Sequence, residues 1–116
     1  MNARIPAVLW ALLILALCSI PGSEIPDLDI VGIDKVGHFG VFFVGAILWM
    51  QAWPRSTARV LAAGLAFAML TEIYQGLMPF LGRFPDPFDV VADALGLGAG
   101  LLLWRWYRHH PVSAVR

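Results

Sequence analysis

The sequence predicts an all-α protein, a four-span transmembrane helix bundle with both termini in the cytoplasm. Three observations predict it. The 116 residues are 59% apolar and only 14% charged, four apolar segments are close to membrane length, and most arginines lie at one set of segment ends. A typical soluble domain has about 25% charged residues, and a domain this small could not bury so much apolar surface. At this length we expect a single domain, residues 1–116.

The four apolar segments are residues 5–20, 36–53, 60–78 and 88–107. A helix needs roughly 20 apolar residues to cross a hydrocarbon core about 30 Å thick, and each segment is close to that length. Prolines mark the segment boundaries, at positions 21, 54, 79 and 87. Because the segments lack alternation and are rich in Ala, Leu and Gly, strands are a poor interpretation.

The first segment also resembles a signal peptide, because Arg4 precedes an apolar run. Leu17 is too bulky for a lipoprotein cleavage site before Cys18, and no small-x-small site precedes Pro21. We therefore interpret the segment as an uncleaved span, with a cleaved signal peptide as the alternative.

Charge placement predicts the topology. All eight acidic residues fall at one set of segment ends, together with Lys35 and Arg83; they are Glu24, Asp27, Asp29, Asp34, Glu72, Asp86, Asp89 and Asp93. Of these, we expect Glu24, Asp27 and Asp29 in a solvated loop. The opposite ends carry the other six basic residues, which are Arg4, Arg55, Arg59, Arg105, Arg108 and Arg116. Six against two is a positive-inside bias, so we place the arginine-rich ends in the cytoplasm. An aromatic belt is expected at the same interface, formed by Trp49, Trp53, Trp104, Trp106 and Tyr107.

Small residues recur at helical spacing in the last two segments. Ala92, Gly96 and Gly100 form one stripe, and Gly64 and Ala68 form a second. In membranes such stripes allow close helix approach. We expect helix contacts within the bundle, with a homo-oligomer face as the alternative. The zero net charge argues against a nucleic-acid partner, and no cofactor or metal motif is found, so membrane lipids are the expected partners.

The second segment opens with Asp34, Lys35 and His38. Asp34 and His38 are four residues apart, so they share one helix face. Asp34 alone also fits a first-turn acid favoured by the helix dipole. His38 is harder to explain structurally, because it heads a continuous apolar run.

The third segment carries Glu72 and Gln75 on one face. Glu72 lies six residues before Met78, which places it roughly 9 Å inside the helix end. An ionised acid at a bilayer centre costs about 2.5–3.5 kcal/mol, so an intramembrane acid is a functional candidate by default. A purely structural interhelical hydrogen bond is the alternative.

The loop and fourth segment supply Arg83, Asp86, Asp89 and Asp93. Asp86 before Pro87 fits a helix N-cap, and we assign it to structure. Asp89 and Asp93 share a face, and their repulsion favours a nearby cation. The predicted polar site, gathered at one depth, therefore comprises Asp34, Lys35, His38, Glu72, Gln75, Arg83, Asp89 and Asp93.

These motifs, in this order, resemble the VanZ-like family of small bacterial membrane proteins. The matching pieces are Asp34-Lys35-x-x-His38-Phe39, Glu72-x-x-Gln75, Arg83 and Asp89-x-x-x-Asp93-x-x-Gly96, within residues 33–103. The resemblance implies a multi-pass protein of the bacterial cytoplasmic (inner) membrane. The family takes its name from a member associated with teicoplanin resistance, which raises a link to envelope or glycopeptide-antibiotic tolerance but assigns no reaction.

Three functions remain open. The site could bind a cell-envelope lipid or lipid-linked precursor head group at the extracytoplasmic face, with Lys35 and Arg83 holding a phosphate. It could instead belong to an enzyme acting on a lipid-linked substrate, with His38 and Glu72 as acid and base. The third alternative is a structural membrane subunit. Lipid binding is our first hypothesis.

Overall fold

The computed structural model describes residues 2–24, 32–82 and 84–110, apart from the Glu24 side chain. Over these residues the chain is helical, without strands, and the all-α prediction is confirmed. The α-helices are α1, Arg4–Cys18; α2, Ile33–Ala52; α3, Thr57–Leu77; and α4, Pro87–His109. Short 3₁₀ turns cover Gly22–Glu24 and Pro79–Leu81. Expectations for Asp27, Asp29, Arg83 and Arg116 lie outside the described residues.

Three of these helices are long and apolar enough to cross a membrane: α2 with 20 residues, α3 with 21 and α4 with 23. They fit a membrane protein, and their bounds agree with the predicted spans within a few residues. Helix α1 has 15 residues, about 22 Å at 1.5 Å per residue, which is shorter than a core of about 30 Å. A fourth span formed by α1 therefore stays a prediction.

The bundle has two chemically different ends. At the first, which we call the acidic end, the starts of α2 and α4 meet through Lys35 and Asp89. The ends of α1 and α3 meet there through Ser19 Oγ and Tyr74 OH, 2.9 Å apart.

At the second, the arginine end, the Arg4 guanidinium at the start of α1 lies 5.1 Å from the Trp53 ring at the end of α2. The last turn of α4 reaches the loop between α2 and α3, where Arg105 and Pro54 line a common depression. The described parts of both termini thus share one end, although its side of a membrane stays a prediction. The aromatic residues expected there include Trp49 and Trp53, which stack with ring centroids 5.1 Å apart.

Close backbone contact joins α2 to α4 at the small-residue stripe. A Cβ atom at Gly96 would collide with the Phe39 carbonyl, and one at Gly100 would lie 2.6 Å from the Phe43 carbonyl oxygen. At the second stripe, a Cβ atom at Gly64 would lie 2.6 Å from the Leu97 side chain. Both stripes therefore make helix contacts within the bundle, as expected. Self-association of the chain stays a prediction.

The buried core runs between α2, α3 and α4 and includes Phe42, Met50 and Leu97. Large apolar side chains also cover the outside of the helices, where Leu9, Leu70 and Leu102 are each more than half exposed. Exposed apolar side chains in this number fit a membrane or protein contact better than a surface in water.

Candidate functional site: a charged network at the acidic end

Local backbone signals position the first turns of α2 and α4. Gly32, with φ of 81°, precedes α2 in a left-handed conformation that glycine adopts without strain. Asp86 begins α4, where its Oδ1 accepts a 2.9 Å hydrogen bond from the Phe88 N–H and Pro87 takes the first helical position. The capping role predicted for Asp86 is therefore confirmed. Asp34 lies in the first turn of α2 and Asp89 in the first turn of α4.

Lys35 lies at the centre of three carboxylates. Its Nζ is 2.7 Å from Asp34 Oδ2, 2.7 Å from Asp86 Oδ2 and 2.6 Å from Asp89 Oδ1. An ammonium group has three N–H donors, so each carboxylate can take one. Lys35 consequently has no free N–H donor for the phosphate contact that was expected of it.

The lysine also sets the protonation of the capping acid. Its hydrogen bond, together with the one from the Phe88 N–H, holds the pKa of Asp86 below the ordinary aspartate value. Asp86 therefore stays ionised through the neutral range, and Lys35 keeps a charged partner in the loop that precedes α4.

The three carboxylates around Lys35 also have the spacing of a metal site. One oxygen each from Asp34, Asp86 and Asp89 lies within 4.8 Å of the others. Such oxygen ligands suit hard divalent cations. Here the Lys35 ammonium already supplies a cation to all three, so a metal ion would have to displace that side chain.

A second pair lies deeper in the bundle. His38 Nδ1 is 2.8 Å from Asp93 Oδ1, and the Asp93 side chain is only 1% exposed. When Asp93 is ionised, its carboxylate only accepts hydrogen bonds, and Nδ1 of His38 is then the donor. His38 Nε2 lies 3.6 Å from Asp89 Oδ2, beyond good hydrogen-bond length. In neutral His38, Nε2 is therefore the nitrogen that can accept a proton.

The two polar residues of α3 tie helices together. Glu72 Oε2 accepts a 2.8 Å hydrogen bond from the Asp86 N–H, which connects α3 to the start of α4. Gln75 Nε2 donates a longer bond, 3.4 Å, to the Cys18 carbonyl at the end of α1. The structural alternative considered for this pair thus has a physical basis, because both side chains are buried and bridge helices.

The structure brings most of the predicted residues into one charged network, which we define as Asp34, Lys35, His38, Asp86, Asp89 and Asp93. Glu72 adjoins it through the Asp86 backbone, Gln75 turns to α1, and Arg83 lies outside the described residues. The sequence predicted that Asp86 caps α4 but not that it also pairs with Lys35. The available signal was its position three residues before Asp89, which puts both acids near the same side of the first turn.

These observations define a small helical protein with membrane-length helices and a charged network at one end of the bundle. A sequence model of the VanZ/LLP1 family matches residues 5–108. The chain therefore belongs to this family, and the resemblance noted from its motifs is confirmed.

A fungal protein is also similar to this chain. "Uncharacterized protein C11E3.10" of Schizosaccharomyces pombe is 29% identical over 114 residues, covering 94% of this chain and 69% of the relative. No solved structure matches. Because this relative is fungal, a bacterial origin and the inner membrane stay predictions for the chain.

Proposed function

We propose that the acidic end binds the polar head group of a membrane lipid or lipid-linked envelope precursor, at the extracytoplasmic face. One observation carries this proposal: the charged network runs from the buried Asp93 to the 60% exposed Asp34 side chain, and exposed apolar side chains adjoin it. Phe39, next to His38, is 39% exposed, and Phe88, next to Asp89, is 69% exposed. A head group at the network would leave its hydrocarbon chains along these apolar surfaces.

The charge balance of the network favours a particular head-group chemistry. Four aspartates belong to it and Glu72 adjoins it, whereas Lys35 is its permanent cation and His38 its titratable one. Ionised carboxylates accept hydrogen bonds and donate none. The favoured head group therefore carries donors, such as sugar hydroxyls or an amine. A phosphate contact would depend on Arg83.

Binding can be tested with the purified protein in lipid nanodiscs. Native mass spectrometry would compare retention of phosphatidylethanolamine, which carries an amine, with phosphatidic acid, which does not. We expect the wild type to retain the amine lipid preferentially. Asp89→Asn should weaken that retention about tenfold, because Asp89 contacts both Lys35 and His38 and a hydrogen bond to a charged group is worth about 1.5–3 kcal/mol.

A matched control comes from the segment between the first two apolar runs. Asp27→Asn removes the same charge from a position that the sequence assigns to a solvated loop, and it should leave retention unchanged. Preference for phosphatidic acid, or equal effects of the two substitutions, would contradict the proposal. Strong destabilisation by Asp89→Asn without altered lipid selectivity would favour the structural alternative.

The His38–Asp93 pair favours a second candidate, an enzyme acting on a lipid-linked substrate. Asp93 orients the imidazole through Nδ1–H, which leaves Nε2 to take a proton from a substrate hydroxyl or a water molecule. Glu72 is not the acid–base partner of His38 in this candidate, because its Oε2 already accepts a hydrogen bond from the Asp86 N–H. It would hold the loop before α4 rather than exchange protons.

The enzyme candidate predicts turnover that depends on imidazole. Purified protein would be incubated with a panel of phospholipids and polyprenyl-linked sugars, and products would be followed by mass spectrometry. Turnover in the wild type should disappear in His38→Gln and persist in Gln75→Glu, which changes a residue turned away toward α1. Absence of turnover across the panel would leave head-group binding as the better account.

A further inference from the structure

A cavity of about 430 Å³ lies between α1, α2 and α3, and it extends to the arginine end of the bundle. None of the residues that line it belongs to the charged network. Its volume is within the range of about 300–1,000 Å³ found for small-molecule pockets. The walls are mainly apolar and aromatic, with Trp10, Phe42, Trp49, Phe67 and Leu97 among the lining residues.

The wall nearest α1 is held in place by specific contacts. Trp10 Nε1 donates a 3.0 Å hydrogen bond to the Val41 carbonyl, and its ring meets Phe42 edge-on at 5.4 Å. Gly45 makes this position possible, because a Cβ atom there would lie 2.6 Å from Trp10 Cε2. The wall of the cavity on the α1 side is therefore fixed, and a partly open cavity of this size is one that a ligand can use.

The end of the cavity at Ser56 and Arg59, which we call its mouth, is polar and carries a positive charge. Ser56 and Arg59, at the start of α3, line it at the arginine end, and the Arg4 guanidinium covers the nearby Trp53 ring. None of the lining residues is acidic. The positive charge at the mouth is therefore not neutralised by a carboxylate in the cavity wall. From Arg59 to Phe67 the cavity follows nine residues of α3, a length of about 12 Å.

We propose that this cavity holds the hydrocarbon chain of a single-chain amphiphile whose anionic head group contacts Arg59 and Ser56. The apolar walls match a hydrocarbon chain, and the charge of the mouth is complementary to an anion. The cavity volume of about 430 Å³ and its length of about 12 Å along α3 suit one hydrocarbon chain. This site is separate from the charged network.

Tryptophan fluorescence can report occupancy directly, because Trp10, Trp49 and Trp53 line the cavity. The probe is bromoundecanoic acid, a single-chain fatty acid whose bromine quenches nearby indoles, added to the full chain in uncharged detergent micelles. We expect saturable quenching by the acid. Its uncharged methyl ester should bind about tenfold more weakly, because it lacks the charge-assisted contact with Arg59.

Two matched pairs of variants separate this site from partitioning into the micelle. Arg59→Gln should weaken acid binding about tenfold, whereas Arg55→Gln, which removes an arginine outside the cavity, should not. Ala63→Phe places a ring in the cavity wall and should reduce quenching, whereas Ala62→Phe on the neighbouring exposed position should not. Linear, non-saturating quenching in all variants, equal binding of acid and ester, or equal effects within either pair would overturn the proposal.

Discussion

At the scale of single residues, the sharing of Lys35 among three carboxylates decides how the acidic end responds to pH. The pKa of Asp86 is lowered in the folded protein by its hydrogen bond with Lys35. A lowered pKa means that this contribution to stability is fully present above the unfolded-state pKa. It is lost as pH falls through the folded-state value.

Replacing the lysine tests this sharing. In Lys35→Met the carboxylates of Asp34, Asp86 and Asp89 face one another without a cation, so the variant should unfold at a lower temperature than wild type near pH 7. The difference should shrink at about pH 3, below the ordinary aspartate pKa of about 4, because the contribution of Lys35 is lost as pH falls toward the lowered folded-state pKa. Thermal unfolding in one detergent at both pH values measures it. Lys35→Arg, which keeps the charge, is the control, and a pH-independent difference would contradict the explanation.

Asp93, the buried partner of His38, should matter more for stability than Asp34, which is exposed. Asp93→Ala removes the hydrogen-bond acceptor of His38 Nδ1, and a hydrogen bond to a charged group is worth about 1.5–3 kcal/mol. Asp93→Asn retains an oxygen acceptor and should cost less. Asp34→Ala, at a side chain 60% exposed, should change the free energy of unfolding by less than about 1 kcal/mol. Denaturant titration would rank the three variants, and an equal loss for Asp93→Ala and Asp34→Ala would count against this account.

At the scale of helices, the site depends on how closely α2 approaches α4. Gly96→Ala places a Cβ atom against the Phe39 carbonyl, so the helices must separate, at a cost of about 1–3 kcal/mol for overpacking. The separation should also lengthen the Lys35–Asp89 and His38–Asp93 contacts and weaken lipid retention.

The fourth helix offers its own control for this prediction. Gly98 has no atom within 4 Å of a would-be Cβ. Gly98→Ala should therefore be neutral or stabilising by up to about 1 kcal/mol, from helix propensity alone. Thermal unfolding of both variants provides the comparison. Equal destabilisation would show that close backbone contact is not the reason for Gly96.

The helices themselves were predictable from the sequence, whereas the pairing within the site was not. Apolar length and proline positions gave the bounds of α2, α3 and α4 within a few residues, because these signals are local. Which acid meets which cation depends on how each helix is rotated about its axis, and the sequence does not state that rotation. Asp34 and His38 share a face as expected, yet Asp34 contacts Lys35 and His38 contacts Asp93.

The contacts of Asp86 and Glu72 also show that a local sequence pattern does not predict distant partners. A capping motif is readable within four residues of sequence, so the cap of Asp86 was predicted correctly. Its contact with Lys35, 51 positions away, was not predictable from a local pattern. Glu72 was singled out because a buried acid is costly, but its partner, the Asp86 N–H, belongs to a loop whose path the sequence does not define.

At the scale of the whole molecule, the alternation of helix direction separates two kinds of chemistry. Because successive helices run in opposite directions, the acids of three helix ends gather at the acidic end, and the arginines among the described residues gather opposite. The charged network and the apolar cavity consequently occupy different ends of one small bundle. If the bundle crosses a membrane, the two ends face different compartments, and the positive-inside rule places the arginine end in the cytoplasm.

Cysteine labelling tests this topology and the short first helix together. In a Cys18→Ala background expressed in bacterial cells, single cysteines would be introduced as Asn2→Cys, Ser23→Cys and Ala58→Cys. A membrane-impermeant maleimide should label Ser23→Cys in intact cells, because that position follows α1 toward the acidic end. Asn2→Cys and Ala58→Cys, at the arginine end, should react only after permeabilisation. Labelling of Asn2→Cys in intact cells, with Ala58→Cys protected, would show that α1 does not cross, since its 15 residues would then remain on the outer side with the acidic end.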